Sequence, residues 1–260
     1  FLQMIPEIIH YCWFGGKEMP AKEKLCIESW KKYFPKYKFI KWNEENFDLN
    51  SSTFCKQAYD MKKYAFVSDY VRTKVLYEYG GLYFDTDYEV LKPIDTLIKG
   101  NNNVLGWENH SNIGTAFMAF EAKHFVMKRF LEYYNTHSFI DKKGRIDNTA
   151  NVSILTDILI ADGAKCDRTL QIIKDLIIYP REYFYPKRLG ENQFRLSDDT
   201  YGIHHYSMSW LTERQKRRGN NIFWVKVMRP LLKKCRSLFL KIIGKESVRT
   251  LEIRIRNFMK

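Results

Sequence analysis

Two carboxylates one residue apart, Asp85 and Asp87, end an apolar run that leaves a glycine pair: Tyr79-Gly80-Gly81-Leu82-Tyr83-Phe84-Asp85-Thr86-Asp87. Side chains two apart in an extended strand share a face, so the pair is expected to project together while Thr86 turns away. Converging carboxylates suit a hard divalent cation, Mg²⁺ or Mn²⁺, which takes its other ligands from water and a substrate diphosphate. An Asp-x-Asp triplet also occurs as a solvated turn. Here it closes a buried strand, and open α/β sheets bind ligands at the carboxyl ends of their strands. The stretch therefore reads as a metal and nucleotide site.

The elements that must position it alternate along the chain. Ile5 to Phe14 is an apolar strand ended by Gly15-Gly16. Ala21 to Tyr33 has helical spacing, with Leu25, Ile27 and Trp30 placed to meet a sheet, and Tyr37 to Trp42 is a second strand. One helix is expected over Phe54 to Tyr79, stopped by Gly80, before the strand that carries the aspartates. Strands follow at Tyr88 to Leu91, Asn103 to Trp107 and Thr115 to Phe120, helices at Phe125 to Asn135 and Val152 to Ala161, and late strands at Leu176 to Tyr179 and Tyr201 to Tyr206. The alternation predicts an α/β sandwich with a mixed, mainly parallel sheet flanked by helices.

Charge divides the chain. Residues 213–260 hold 15 Lys and Arg against 3 Asp and Glu, a net +12, whereas residues 1–212 hold 28 against 27, a net +1. The expected organisation is a catalytic domain over 1–212 and a basic helical appendage over 213–260. Within the appendage, Ile222 to Ile243 and Val248 to Phe258 interleave Lys and Arg with Trp, Phe, Leu and Ile, the pattern of helices that lie on an anionic membrane. A helix pair packed on the domain is the alternative. Nucleic acid is not expected, because no recognition motif accompanies the charge. Five widely spaced cysteines without a CxxC pair argue against both a disulfide framework and a zinc site. With no apolar run of membrane-spanning length and no signal-peptide pattern, the expected location is cytoplasmic, peripherally attached to the inner face of the cell membrane.

Five segments in order carry a resemblance: Ile5-Pro6-Glu7-Ile8-Ile9-His10-Tyr11-Cys12-Trp13-Phe14-Gly15-Gly16, Trp42-Asn43-Glu44, Ala65-Phe66-Val67-Ser68-Asp69-Tyr70-Val71-Arg72, Tyr79 to Asp87, and His204-His205 before Ser209-Trp210. The series resembles the family 32 glycosyltransferases with a DXD motif, which are related to the glucosylating clostridial toxins. The resemblance spans about residues 4 to 212 and implies a GT-A fold, a nucleotide-diphosphate sugar donor, usually UDP-linked, a divalent metal, and retention of anomeric configuration.

It also implies roles. Trp13 would stack on the base, and Gly15 would let backbone approach the nucleotide. Asp69 and Arg72 would hold donor-sugar hydroxyls and the phosphate side, and Tyr83 would make a further donor contact. Asp85 would touch the ribose and reach the metal through water, and Asp87 would bind it directly. His204 or His205 would be a third metal ligand, only one of them, because adjacent strand residues face opposite ways. Ser209 and Trp210 would cover the diphosphate. Asn112, Gly114, Asp147, Asn148 and Asn151 would flank the acceptor.

The resulting expectation is a metal-dependent retaining glycosyltransferase that moves a sugar from a UDP-sugar to a saccharide acceptor. The basic appendage suggests that the acceptor is lipid-linked, as a polyprenyl-diphosphate oligosaccharide in capsular or surface polysaccharide synthesis. A toxin-like enzyme that glycosylates protein and a non-catalytic membrane-binding adaptor are the alternatives. The intact set Asp69, Arg72, Asp85 and Asp87 argues against the adaptor.

Overall fold

The computed structural model describes residues 4–98, 102–187 and 194–207. Ser209, Trp210, the basic segment 213–260 and the expected boundary at 212 lie outside the described residues.

Strands β1 (Ile8–Cys12), β2 (Lys38–Trp42), β3 (Gly81–Phe84), β5 (Asn103–Gly106), β6 (Phe117–Phe120), β7 (Gln171–Ile173) and β8 (Leu176–Tyr179) form one sheet in the order β2-β1-β3-β6-β5-β8-β7. The β1–β2, β1–β3 and β5–β8 ladders are parallel, while β6 and β7 run against their neighbours. Five of the seven strands therefore point the same way, and the sheet is mixed and mainly parallel. β4 (Tyr88–Val90) and β9 (Gly202–His204) make a separate antiparallel pair.

Both faces of the sheet are covered, which is why β3, β5 and β6 are buried at every position rather than alternately. Tyr83, Met118 and Phe120 point into a core shared with helices α2 (Thr53–Asp60), α3 (Tyr64–Tyr79), α5 (Phe125–Thr136) and α6 (Asn151–Ala161). Leu82, Phe84, Phe117 and Ala119 point the other way, towards Ile27, Trp30 and Phe34 of the α1 region (Ala21–Tyr33) and towards the short helix α7 (Arg181–Phe184). A further short helix, α4 (Asp95–Ile98), lies beside β5.

Three expectations are corrected and one strand is added. The helix expected over Phe54 to Tyr79 is two helices. It breaks at Lys62, which sits at φ 56° while Lys62 N–H reaches Tyr59 O (2.8 Å) and Lys63 N–H reaches Ala58 O (2.9 Å). That double closure ends a helix with a left-handed residue, a place usually held by glycine, so lysine there carries no sequence signal. Leu25 is 70% exposed, because the buried face of α1 runs through Glu23, Ile27 and Trp30, at intervals of four and three, and Leu25 lies off it. β7 was not expected from the sequence; its three residues hold one buried side chain, Ile173. Finally, β3 stops at Phe84, so the two aspartates leave the strand and enter a turn.

Gly80 does stop α3 as expected. Its N–H bonds Leu76 O, it adopts φ 65° and ψ −166°, and a Cβ there would lie 2.5 Å from the backbone nitrogen of Ala122. Only glycine tolerates that conformation and that approach.

Candidate active site

The turn from α3 into β3 determines what meets what. Counting from Gly80, Asp69 lies eleven residues back along a helix, about 16 Å at 1.5 Å per residue. Asp85 lies five residues forward along a strand, about 16 Å at 3.3 Å per residue. Helix and strand pack against each other, so the two carboxylates arrive at one level with Arg72 between them.

Arg72 is the centre of this arrangement. Its Nη2 lies 3.2 Å from Asp69 Oδ1 and 3.0 Å from Asp85 Oδ1. Nη1 donates to Thr115 O (2.9 Å) and Nε to Ser68 O (3.3 Å). Each of its three nitrogens is thus engaged by protein oxygens, and the side chain is only 6% exposed. The guanidinium also lies 4.7 Å from the Tyr83 ring centroid, and the Tyr83 hydroxyl donates to Asp85 Oδ1 (3.1 Å). Tyr83 is fully buried, and it braces Asp85 from behind. Burial opposes the charge on Arg72, but Asp85 heads the groups that outweigh it and hold the guanidinium protonated.

On Asp69, Arg72 is joined by Asn151 at the start of α6, whose Nδ2 donates to Asp69 Oδ1 (2.6 Å). Burial pushes the Asp69 carboxyl up to about 7; Arg72 pulls it down and Asp85 adds to the rise. An acid raised from its ordinary 3.8 contributes most to stability while protonated, and that contribution is lost as pH rises through the folded-state value. Relative to Asp69→Asn, the wild type is therefore expected to lose stability between about pH 4 and pH 7, and urea midpoints measured across that range check it. A constant difference between the two proteins over that window would contradict the assignment.

The aspartate pair converges through a turn, not along a strand. Tyr88 N–H closes onto Asp85 O (2.8 Å), which folds the chain back and brings Asp87 beside Asp85. β9 pairs with β4 and supplies the third group: His204 Nε2 is 3.3 Å from Asp87 Oδ1. Ser207 N–H donates to the other oxygen, Oδ2 (2.6 Å). Burial works against the Asp87 charge, yet His204 and the Ser207 N–H outweigh it and hold the carboxyl well below its usual range. Of the two histidines, His204 is the one that faces Asp87. His205 points to the opposite face, where Nε2 meets Glu89 Oε2 at 2.8 Å.

One ligand atom each from Asp85, Asp87 and His204 lies within 4.8 Å of the others. Two carboxylate oxygens and one imidazole nitrogen suit a hard to borderline divalent cation, and the spacing fits ligands that share one octahedral centre. A second cluster, Glu121, His124 and Asp175, has similar spacing. There His124 caps α5, its Nδ1 accepting from Val126 N–H (3.3 Å) while Nε2 faces Asp175 Oδ1 (3.2 Å). Because Nδ1 accepts the cap bond, Nε2 carries the ring hydrogen towards Asp175, and His124 serves as a helix cap.

Trp13 follows β1, with its indole N–H donating to Lys17 O (2.6 Å) and the ring partly exposed. Gly15 adopts φ 93°, and a Cβ there would meet the Tyr64 ring at 2.4 Å; its N–H donates to Glu44 Oε1 (2.6 Å). Among the acceptor-side residues expected from sequence, Asn151 joins the Asp69 network. Asp147 accepts from the Tyr133 hydroxyl (3.0 Å), and Gly114 packs under the Tyr185 ring. Thr115, Ser207, Glu108 and Tyr206 were not singled out from sequence. The last three signal themselves only as residues just past the end of a strand.

Residues 20–104 match the family described as "Glycosyltransferase sugar-binding region containing DXD motif", a span that includes Asp69, Arg72, Asp85 and Asp87. The chain is 37% identical over 73 residues to lactosylceramide 4-alpha-galactosyltransferase of Homo sapiens, covering 26% of this chain and 20% of that protein. It is 32% identical over 102 residues to inositol phosphoceramide mannosyltransferase 3 of Schizosaccharomyces pombe, covering 36% of this chain and 27% of that protein. The matched stretch thus spans about a fifth to a quarter of the relatives' own length. Among solved structures, the chain is similar to the PaToxG glycosyltransferase (TM-score 0.47, 18% identity, 62% of this chain and 71% of that one). It is also similar to a glycosyltransferase involved in glycosylation of the major capsid of PBCV-1 (TM-score 0.40, 14% identity, 81% and 96%).

Proposed function

We propose that this chain is a metal-dependent, retaining glycosyltransferase of GT-A type that moves a sugar from a nucleotide-diphosphate donor, UDP-linked, to a saccharide carried on a lipid. The convergence of Asp85, Asp87 and His204, backed by the Arg72 network inside the DXD-containing region, carries the reading.

Asp87 and His204 would hold Mn²⁺ or Mg²⁺ directly, and Asp85 would complete the set. When bound, such a cation neutralises the negative charge that grows on the diphosphate as the glycosidic bond breaks. Arg72 keeps Asp85 aimed, because its guanidinium and the Tyr83 hydroxyl occupy the back of that carboxylate. Asp69, held by Arg72 and Asn151, offers an acceptor for donor-sugar hydroxyls. Trp13 supplies a flat, partly exposed ring for the base, whereas the space beside Gly15 is taken by the Tyr64 ring. Ser209 and Trp210 would cover the diphosphate.

The acceptor class is supported by the relatives, whose names specify lactosylceramide and inositol phosphoceramide. A polyprenyl-diphosphate oligosaccharide shares their feature, a sugar or polar head presented at a lipid surface. The basic segment 213–260 would keep the enzyme at an anionic, cytoplasmic membrane face, at about 1 kcal/mol per basic residue near the surface.

Thermal-shift titration against UDP, GDP, CDP and dTDP sugars, with and without Mn²⁺, tests the donor. Stabilisation by UDP-sugars that requires Mn²⁺ is expected; indifference to all four would overturn the reading. Flotation with anionic liposomes, unchanged after deletion of 222–260, would remove the membrane role.

A further inference from the structure

The third member of the proposed metal set, His204, carries its own support. Tyr206 adopts φ 53°, a left-handed conformation that a bulky aromatic residue rarely takes. The consequence is local. The chain folds back two residues after His204, and the Tyr206 ring comes to lie 4.0 Å, centroid to centroid, from the imidazole at 39°. The Tyr206 hydroxyl then neighbours the carboxylate of Glu108, which stands two residues past the end of β5.

Glu108 in turn faces the second nitrogen of His204. Its Oε1 lies 3.9 Å from Nδ1, about 1 Å beyond a hydrogen bond. Nδ1 is fully buried, and no hydrogen-bond partner reaches it among the described residues. Tyr185 closes the far side, edge-on at 6.2 Å. The imidazole is therefore held by Tyr206 on its face and Tyr185 at its edge, with Asp87 at Nε2 and Glu108 at Nδ1. Unusual backbone conformations persist only where their surroundings enforce them, and they cluster where function needs a fixed geometry.

We infer that Glu108 and Tyr206 are positioning residues for His204. Glu108, the acceptor that faces Nδ1, favours the hydrogen on that nitrogen, Tyr206 packs on the ring beside the Glu108 carboxylate, and Nε2 is left to face Asp87 and the cation. The inference rests on the proposed metal set, and it adds two residues that never touch donor or cation. Partners of this kind typically account for about 10- to 100-fold in metal affinity.

Two readouts test it. The first is Mn²⁺ affinity without any sugar nucleotide, measured by electron paramagnetic resonance of free Mn²⁺. Glu108→Leu is expected to weaken binding about 10- to 100-fold, Tyr206→Leu to weaken it in the same direction, and Glu108→Gln to restore most of the affinity because its carbonyl still presents an oxygen to Nδ1. The second is the His204 imidazole signal in the ¹H–¹³C spectrum of the metal-free protein, assigned by its loss in His204→Asn. A single sharp signal in the wild type and a shifted, broadened one in Glu108→Leu are expected.

Wild-type Mn²⁺ affinity and an unmoved His204 signal in Glu108→Leu would overturn the inference while leaving the metal set standing. Absence of Mn²⁺ binding by the wild type would instead overturn the proposed function, and the imidazole signal would then decide the support role alone.

Discussion

Asp87→Asn is expected to lower sugar-nucleotide turnover by about 10²- to 10³-fold, a loss of about 3–4 kcal/mol of transition-state stabilisation. The substitution keeps size and keeps an oxygen able to accept the Ser207 N–H, so the β4–β9 corner is retained. What it removes is the formal charge of a carboxylate that the structure holds ionised against burial. Mn²⁺ affinity is expected to fall in parallel, because His204 faces Asp87 directly. Release of the nucleoside diphosphate from the donor identified by thermal shift, followed with and without Mn²⁺, is the measurement. Turnover within a few-fold of wild type, still dependent on Mn²⁺, would mean that the aspartate pair is not where the cation binds.

Arg72→Met has the second large expected effect, and it acts on stability. The side chain is only 6% exposed, and its two ion-pair partners, Asp69 and Asp85, are 15% and 23% exposed. Removing one partner of such a buried pair leaves uncompensated charge and typically costs about 3–5 kcal/mol. For a unit of this size that corresponds to a drop in Tm of about 10 °C, readable by circular dichroism. Arg72→Lys is expected to recover only part of it, since one ammonium cannot engage Asp69, Asp85, Thr115 and Ser68 together. Saturating Mn²⁺ partly rescues Arg72→Met if the cation binds at Asp85, because it supplies positive charge to that carboxylate. A Tm within about 2 °C of wild type would show that the network does not organise the site.

The two predictions separate the front of the site from its back. Asp87 belongs to the proposed donor and cation side, so its loss is expected to show in turnover. Arg72 faces protein on every nitrogen, so its loss shows in folding, and any loss of turnover follows from Asp69 and Asp85 no longer being aimed.

The sequence by itself determined the alternation of strands and helices, the α/β class, and the identity of the residues that meet. Leu82 and Phe84 against Tyr83, and Phe117 and Ala119 against Met118 and Phe120, alternate with period two, so burial on both faces is written into composition. Asp85 and Asp87 were legible because they close an apolar strand that leaves a glycine pair, and Asp69 and Arg72 because their segment belongs to the ordered series that carries the resemblance.

Only the tertiary structure decided how the carboxylates converge. That depends on the turn closed by Tyr88 N–H onto Asp85 O and on the pairing of β4 with β9, more than a hundred residues later. The same pairing chose His204 over His205, because strand register, which no local pattern encodes here, sets which face each histidine takes. The helix break at Lys62 and the folded-back Tyr206 were illegible for a related reason: both are left-handed non-glycine residues, stabilised by contacts that form only when the chain is folded. Glu108 meets His204 across 96 positions of sequence, and long-range contacts between side chains of ordinary type leave no signature until the sheet brings them together.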